Sequence, residues 1–567
     1  MKLQVRIFSF NTCERLACIA GFLLASMHPL AWSAPDAGSL LQQLESRPAT
    51  TLKAPRLNTP KVPTPPAADE AGPVVHVKAF RIEGGTLLSD DVLQSALRGF
   101  TNKDLTLTQL QEAAWVVTQT YRKAGWLVNA YLPQQEIEGG QVLIRVIEAR
   151  LGKVHIDLVA QVRVSTQQIQ AVLDAQLQPG QLLSLASVDH ALLLVGELAG
   201  VSAAGSFVPG QDNGASDLLV MVGGGKPVDV QFSQDNLGAR NTAAHRVSTQ
   251  ISFNSALGLG DLINLNSVKS DGSTYHRAAI SMPVGSRGIK VGFHQSDMSY
   301  GFAWNNADLT GLARTRGVDA SGPIIRSEHN RWSWGLSTDK KQLHNTANEA
   351  VTSDYRIELS RTSLNGNWFD EWLGDAQNNL DLTLTQGNVN QPADTTGVQG
   401  RFNKFNLSFS REQQLMSQLS WFVQAQTQST QHNLDSSEKL YLGGAAGVRA
   451  YPGSEVGGAS GYLASTGLRQ RMGNGLTLSG FVDWGSVSVC RTLHNYCLKD
   501  KNGGKEPAVQ ALQGYGLSLN WQTEPGLDLN VTWSRRHGQN PNPDANGFDS
   551  DQTLVINRLW LSAAVRF

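Results

Sequence analysis

From Leu476 the chain alternates strictly. Leu476, Leu478, Gly480, Val482 and Trp484 fall on one face, and Thr477, Ser479, Phe481, Asp483 and Gly485 on the other. A period of two is that of a strand with two unlike faces. The same alternation returns at Leu380/Leu382/Leu384, Phe405/Leu407/Phe409, Tyr515/Leu517/Leu519/Trp521 and Leu527/Leu529/Val531/Trp533. Between the last set lie Asp528, Asn530, Thr532 and Ser534, polar enough to face a wet interior. From Pro227 to Phe567 the texture is strands of roughly ten residues separated by turns, as in a membrane barrel whose apolar face meets lipid and whose polar face meets the lumen. One-sided soluble sheets also alternate, and connection lengths separate the two cases. After the glycine-rich loop Gly443 to Ser460, the strand Gly461 to Met472 turns through Gly473-Asn474-Gly475. A long loop with two cysteines follows, then the short turn Gln522 to Gly526, then the long polar stretch Arg535 to Thr553. Long connections on one side and short ones on the other fit a barrel, and Leu559, Leu561, Ala563, Val565 and Phe567 close it with a terminal aromatic. Asp483 then points into the lumen, where Gly485 leaves room for the loop carrying Arg449 to approach and pair with it.

Upstream the period changes. Ser39 to Arg47 is a short amphipathic helix candidate with Leu40, Leu41 and Leu44 on one side, too short to be stable alone. Pro48 to Pro73 is proline-rich and reads as an extended linker. Val74 to Arg150 reads as a compact α/β unit: a strand Val75 to Glu83, a short helix Asp90 to Leu97, and a second helix opened by a Thr108/Gln111 capping box. That helix has Leu110, Ala114, Val117 and Tyr121 as its apolar face and Gly125 as its stop, and strands Leu127 to Leu132 and Val142 to Glu148 follow. Residues 151–225 repeat the order: a strand Lys153 to Leu158, a helix capped by Ser165 with Gln168, a helix from about Ser187 to Leu198, and two more strands. Small mixed sheets of this kind expose an edge to which an extended peptide can add.

Composition sharpens this picture. Charged residues are 17% of the chain against about 25% in ordinary soluble domains, which suits a polar but mostly uncharged lumen. A net charge of -1 gives no hint of nucleic acid. Residues 1–33 carry Lys2, Arg6 and Arg15, an apolar core Leu16 to Ala25 and a small-x-small site at Ala31-Trp32-Ser33, the pattern of a secretory signal cut before Ala34. In an exported chain Cys490 and Cys497, close together in one loop, read as a local disulfide. A metal site would need more ligands than the nearby His494 adds. No phosphate-binding loop, zinc-protease motif or nucleophile elbow is present, and the twelve His are scattered. Catalysis has no positive support, and neither does a cofactor.

Val448-Arg449-Ala450-Tyr451-Pro452, read with Phe481-Val482-Asp483-Trp484-Gly485, resembles the paired loop and strand motifs of the haemolysin secretion/activation family, the outer-membrane transporters of two-partner secretion (ShlB/FhaC/HecB-like). Ala450 departs from the family's more common Gly. Tyr121 to Trp126 with Leu132-Pro133-Gln134-Gln135 resembles the family's first POTRA domain, and the Leu-Gln-Gln run near residue 41 resembles its N-terminal plug helix. The resemblance spans nearly the whole mature chain in the family's order.

What it implies is specific. The expected architecture is a signal peptide (1–33), a plug helix (34–47), a linker (48–73), POTRA domains at 74–150 and 151–225, and a sixteen-stranded membrane β-barrel at 226–567 with the loop 443–460 folded inward. Val448, Arg449, Tyr451, Phe481, Asp483 and Gly485 would form a loop–barrel lock; Leu40, Leu41 and Leu44 would seat the plug; Tyr121, Gly125, Pro133 and Gln134 would meet the client. The implied function is export of a secreted partner exoprotein, such as a haemolysin or adhesin, recognised unfolded by the POTRA domains and passed through the barrel without ATP. The other expected partners are outer-membrane lipid and the barrel-assembly machinery that inserts the chain. The nearest alternative is a barrel-assembly factor, which usually has more POTRA domains and no tethered helix; a passive pore would not need the periplasmic domains.

Overall fold

The structure is a computed structural model that describes residues 35–45, 74–212, 214–304, 306–391, 394, 397–492, 508–523, 526–541, 543 and 546–567. The expected signal segment 1–33, the expected linker 48–73, the last residues of the expected N-terminal helix and Cys497 lie outside them.

The first α/β unit begins with two strands where the sequence reads as one. Val74–Val77 pairs antiparallel with Lys103–Thr106, a short strand the sequence pattern did not reveal, while Ala79–Glu83 runs parallel to Gln141–Glu148 in a separate sheet completed by Val128–Tyr131. The break falls at Lys78, whose N–H bonds the Gly140 carbonyl at 2.7 Å. Helix Leu107–Lys123 does carry a capping box, two residues earlier than expected: Thr106 accepts from the Gln109 N–H, and the Gln109 side chain accepts from the Thr106 N–H. Thr108 lies inside the first turn. The shift follows from the strand ending at Thr106, so the extended backbone needed at an N-cap is already there. Leu110, Ala114, Val117 and Tyr121 of this helix are buried against Phe80, Ile144 and Val146.

The second unit has Arg150–Leu158 parallel to Ala215–Gly224 and Val201–Pro209 antiparallel to it, with helices Thr166–Asp174 and Leu185–Gly196 on one face. The second of these helices starts earlier than expected, from the extended Ser184. Backbone bonds Leu127 N–H to Leu183 O (3.2 Å) and Leu185 N–H to Gly125 O (2.9 Å) join the two units.

Sixteen strands, from Val228–Asp235 to Asn557–Arg566, form a closed antiparallel barrel in which the last strand pairs with the first. Closure satisfies every ladder without an exposed edge, the condition for strands in lipid. Outward residues such as Leu384, Leu517, Val531 and Leu561 are exposed apolar side chains, as a lipid-facing wall requires. The second α/β unit docks on the short turns at one end: Arg326 donates to Glu197 at 2.7 Å, Gln168 to the Leu259 carbonyl at 2.7 Å and the Ala199 N–H to the Gly260 carbonyl. The other end carries the long loops.

Two features depart from a barrel of uniform ten-residue strands with a polar interior. Ala307–Arg326, Asn330–Ala347 and Ala350–Asp370 run 20, 18 and 21 residues and close in tight hairpins at Asn306 and Asn348-Glu349, all at positive φ. On this flank the lumen is also apolar, with Tyr275, Met298, Tyr300, Ala313, Leu343, Ile357 and Leu359 facing inward. The N-terminal helix Ala37–Glu45 lies against them inside the barrel, which is why they are not polar.

The cap assignment is directly testable. Thr106→Ala should lower the stability of the first unit by about 1 kcal/mol, read as faster amide exchange in Leu107–Lys123 of the intact protein, whereas Thr108→Ala should leave exchange unchanged. Equal effects from the two would contradict the assigned cap.

Candidate functional site

The connection between strands Leu419–Thr430 and Ser460–Gly473 folds back into the barrel instead of extending from it. A two-residue ladder, Leu440–Tyr441 against Gly457–Gly458, pinches its base. Above the pinch the Val448 N–H bonds the Leu442 carbonyl at 2.6 Å, which turns Arg449 toward the wall. Leu442, Val448, Ala450, Tyr451 and Val456 pack with the wall residues Leu463, Val487 and Leu512. Ala450 is fully buried and is not among the residues with positive φ, so alanine fits the backbone there without strain.

Asp483 is on the inward face of strand Leu476–Ser488, and its side chain is 1% exposed; that of Arg449 is 19% exposed. The contact uses one edge of the guanidinium and the backbone together. Arg449 Nε donates to Asp483 Oδ2 at 2.8 Å, one terminal nitrogen donates to Oδ1 at 2.6 Å and to Ser465 Oγ at 2.9 Å, and the Arg449 backbone N–H also reaches Oδ2 at 3.1 Å. The guanidinium carbon sits over Phe481, 3.2 Å from its ring centroid. The Arg449 carbonyl accepts from Ser534 Oγ at 2.6 Å and Trp560 Nε1 at 2.7 Å. Two glycines opposite make this approach possible. A Cβ on Gly514 would stand 2.6 Å from the Ala450 Cβ, and one on Gly485 would stand 2.8 Å from Leu442 Cδ2.

Ser465, Ser534, Trp560 and Gly514 were not legible as site residues, because each sits on a different strand and carries no motif. Their one shared signal is position: each is a small or hydrogen-bonding residue on the inward parity of its strand.

A further layer rests on the loop. Arg536 lies 4.5 Å over the Tyr451 ring and pairs with the fully buried Asp549, which Arg558 also meets at 3.2 Å. Glu455 accepts from the Ser550 N–H at 2.9 Å and its hydroxyl at 2.6 Å. The last long loop is thus tied down onto the inward one. Burial pushes the Tyr451 phenol above its usual range, with the nearby Asp549 and Glu455 carboxylates acting in the same direction against Arg536.

The helix Ala37–Glu45 occupies the space between this loop and the apolar flank. Asp36 caps it by accepting from the Ser39 N–H at 2.9 Å, so the helix begins before Ser39, where the sequence reading started it. Leu41 is fully buried, Leu40 is 4% exposed and Leu44 packs at the edge of the same cluster. The polar contacts are distributed: the Ala37 N–H donates to Asn345 at 3.0 Å, Ser436 donates to Asp36 at 2.7 Å, Ser296 donates to Glu45 at 2.9 Å, Gln42 reaches the Lys439 carbonyl and Gln43 reaches Ser454. Gly38 marks the closest approach, since a Cβ there would be 2.3 Å from Ser436 Oγ.

The segment against which the helix packs is itself anchored. Glu438 is 2% exposed and is held by Lys341 at 2.8 Å, Lys404 at 2.7 Å and Arg361 at 3.6 Å, from three wall strands. Arg361 also pairs with Asp339, which His294 meets at 2.9 Å. This hub was missed from sequence because its charges lie far apart along the chain.

The expected client contacts divide. Gln134 is exposed and Pro133 half-buried in the segment after strand Val128–Tyr131. Tyr121 is fully buried in the core of the first unit, so it packs and does not meet a client, a correction to the expectation above. Gly125 adopts φ 87° at the helix end, which explains its identity without a ligand. Cys490 is disulfide-bonded.

Comparison with known proteins places this geometry. The family model described as haemolysin secretion/activation protein ShlB/FhaC/HecB matches residues 214–496, and that of the ShlB-type POTRA domain matches residues 75–149. The heme/hemopexin transporter protein HuxB of Haemophilus influenzae (strain 86-028NP) is 23% identical over 96% of this chain and 97% of its own length. The outer membrane transporter CdiB of Escherichia coli O6:K15:H31 (strain 536 / UPEC) is 24% identical over 81% of this chain and 80% of its own. The solved structure of CdiB from Escherichia coli matches in fold with a TM-score of 0.65 and 18% identity, covering 99% of this chain and 100% of that one.

Because the Arg449–Asp483 contact is mostly dry, losing one partner leaves a charge uncompensated. Asp483→Ala should cost roughly 3–5 kcal/mol, read from the urea midpoint of protein folded into lipid vesicles; a loss near about 0–1 kcal/mol would mean that water screens the pair. Gly514→Leu should displace the loop with Asp483 and Arg449 both intact, which limited proteolysis within 443–460 would register.

Proposed function

Since the chain belongs to the haemolysin secretion/activation family of two-partner secretion outer-membrane transporters, we propose that it takes one large secreted partner protein from the periplasm and passes it, unfolded, through its own barrel. It resides in the outer membrane with its POTRA domains in the periplasm. In this reading residues 34–47 are a removable plug on the tether 48–73, residues 74–150 and 151–225 receive the client, and residues 226–567 form the conduit. The observation that carries the proposal is how the lumen is filled. Two separate pieces of chain occupy it, the helix Ala37–Glu45 and the loop around Arg449, and neither is a strand of the wall.

The helix is the piece suited to leave. It has nine residues, below the length at which a helix is stable alone, so it folds where it docks and can melt on leaving. Its polar contacts are mostly single hydrogen bonds, whereas the loop is held by a buried ion pair with several donors. We assign Val448, Arg449, Tyr451, Phe481, Asp483 and Gly485 to a lock that sets how far the lumen opens. Client entry would begin by strand addition at a sheet edge, Ala79–Glu83 or Val128–Tyr131 in the first domain and Arg150–Leu158 or Val201–Pro209 in the second. Without a nucleotide at this membrane, folding of the client outside would hold each emerging segment against sliding back. By the names of its relatives, which include a heme/hemopexin transporter and a hemolysin transporter of Proteus mirabilis, the client belongs among heme/hemopexin-related proteins or haemolysins. We propose no catalytic step, cofactor or nucleic-acid partner, and the chain's own insertion would use the barrel-assembly machinery.

An assembly factor for other barrels is the competing reading. The luminal seat of Leu40 and Leu41 favours export, because a factor acting at the membrane wall has no need of a seated helix.

Single-channel conductance in planar bilayers tests the proposal. The intact mature protein should be mostly closed, and deletion of residues 34–73 should give long-lived opening. Gly38→Val should do the same with the tether retained, since its side chain would enter Ser436 and Ser437. Indistinguishable conductance in all three would sink the plug assignment.

A further inference from the structure

Outside the lumen, the long strands carry charge at one height on the barrel wall. Register places Arg316 beside Lys340 and Lys340 beside Glu358, all exposed and facing outward; one residue pair farther from the periplasmic domains, Arg314 and Arg356 face the same way. Lys340 pairs with Glu358 at 3.0 Å and Arg314 with Asp297. Arg316 and Arg356 are in no ion pair among the described residues.

The height matters. Nearer the periplasm, outward residues on the same strands are apolar, with Val318 48% and Leu336 51% exposed, and then aromatic, with Trp332 stacked on Trp368 at 5.7 Å between ring centroids. From Trp332 to Lys340 a strand tilted by about 40° rises about 20 Å, close to the full height of the apolar band of such barrels, about 25 Å. Trp332 and Trp368 therefore mark the inner interface, and the row of Arg316 and Lys340 marks the outer one, level with the headgroups of the outer leaflet.

The cations sit on continuous ladder, not on a loop, because the strands run on to the hairpins at Asn306 and Asn348. Their spacing is thus fixed by the sheet, with Arg316 and Arg356 two strand spacings apart and offset by two residues along the strands, about 12 Å in all. The inward face at this level is taken by the seat of the N-terminal helix, Ala313, Ile357 and Leu359. Parity alone accounts for polar residues outside, but serine or threonine would meet that need. Neither guanidinium is in a direct ion pair. Asp297 lies within electrostatic reach of Arg316, and Asp354 and Glu358 flank Arg356 on its own strand, but the four cations outnumber these three carboxylates. A multivalent anion from the membrane fits that excess, and the planar guanidinium fork matches phosphate oxygens.

We propose that Arg316 and Arg356, flanked by Lys340 and Arg314, bind the phosphate groups of a phosphorylated glycolipid of the outer leaflet, fixing that lipid against the wall beside the plugged flank. Asp297 and Glu358 orient the two flanking cations and keep the patch from becoming a general polyanion surface.

The test uses delipidated full-length protein in detergent, with bisphosphorylated lipid A as probe and native mass spectrometry as readout. Wild-type protein should retain the probe and should lose affinity for lipid A stripped of both phosphates. Arg316→Gln/Arg356→Gln should weaken binding by about tenfold or more. Arg98→Gln/Lys123→Gln, which removes the same charge from the exposed surface of the first POTRA domain, should leave binding unchanged. Equal retention by the Arg316/Arg356 variant and wild type overturns the proposal. So do equal binding of the dephosphorylated lipid and displacement of the probe by an equal concentration of inorganic phosphate, which would indicate a small-anion site.

Discussion

A sixteen-stranded barrel encloses more space than side chains alone can fill, so whatever closes it has to be chain, and that chain has to be held. The contact on which the rest depends is Arg449 with Asp483. Its strength comes from completeness. Asp483 accepts from three nitrogens of one residue, Ser465 takes a further donor, Phe481 covers the guanidinium face, and Ser534 and Trp560 fix the carbonyl behind it. A buried pair so fully hydrogen-bonded avoids most of the desolvation penalty that makes isolated buried charges unfavourable. It also fixes one position for the loop, because both the side chain and the backbone N–H of Arg449 are engaged by the same carboxylate. Dependent contacts follow outward: Arg536 on Tyr451, Ser550 on Glu455, and Ser454 on Gln43 of the N-terminal helix.

The helix is bound differently from the loop. Its own contacts are two buried leucines and a scatter of single hydrogen bonds. The strong electrostatics nearby belong to Glu438, gripped by Lys341, Lys404 and Arg361, and they hold the loop segment that forms one wall of the helix's seat. None of these ion pairs includes a residue of the helix. Departure of the helix would uncover apolar wall and Ser436, but would break none of the ion pairs that position the loop.

Much of this was legible before the structure. Asp483 and Arg449 could be placed because both faces of strand Leu476–Ser488 are unambiguous, and because a glycine-rich loop precedes it. Leu40, Leu41 and Leu44 could be assigned to one helix face, though Asp36 went unread as the cap. What escaped were positions whose partners are remote: the Glu438 hub joins four segments separated by up to about a hundred residues, and no local spacing encodes it. The Thr106 cap was misplaced by two residues because the preceding strand Lys103–Thr106 is too short to leave a pattern. Tyr121 differs for another reason: it belongs to a motif that resembles the family's, and membership in a motif does not distinguish a client contact from a core position, which is where Tyr121 sits.

The strand Ala350–Asp370 shows why parity cannot be read from polarity alone in such a barrel. Tyr355, Ile357 and Leu359 alternate with Arg356 and Glu358, and hydropathy by itself would turn the apolar set to lipid. The structure does the reverse, burying Ile357 and Leu359 inside and leaving Arg356 and Glu358 out. Farther down the same strand Leu364 faces outward in register with Trp334, so the order is ordinary within the apolar band and inverts only above it. One strand thus serves two environments: an apolar face outside and a polar one inside near the periplasm, a charged face outside and a docked helix inside toward the far end. Its length of 21 residues is what makes both possible. The inversion is itself a signal, because charges alternating with buried apolar residues beyond the membrane band locate the height at which something sits in the lumen.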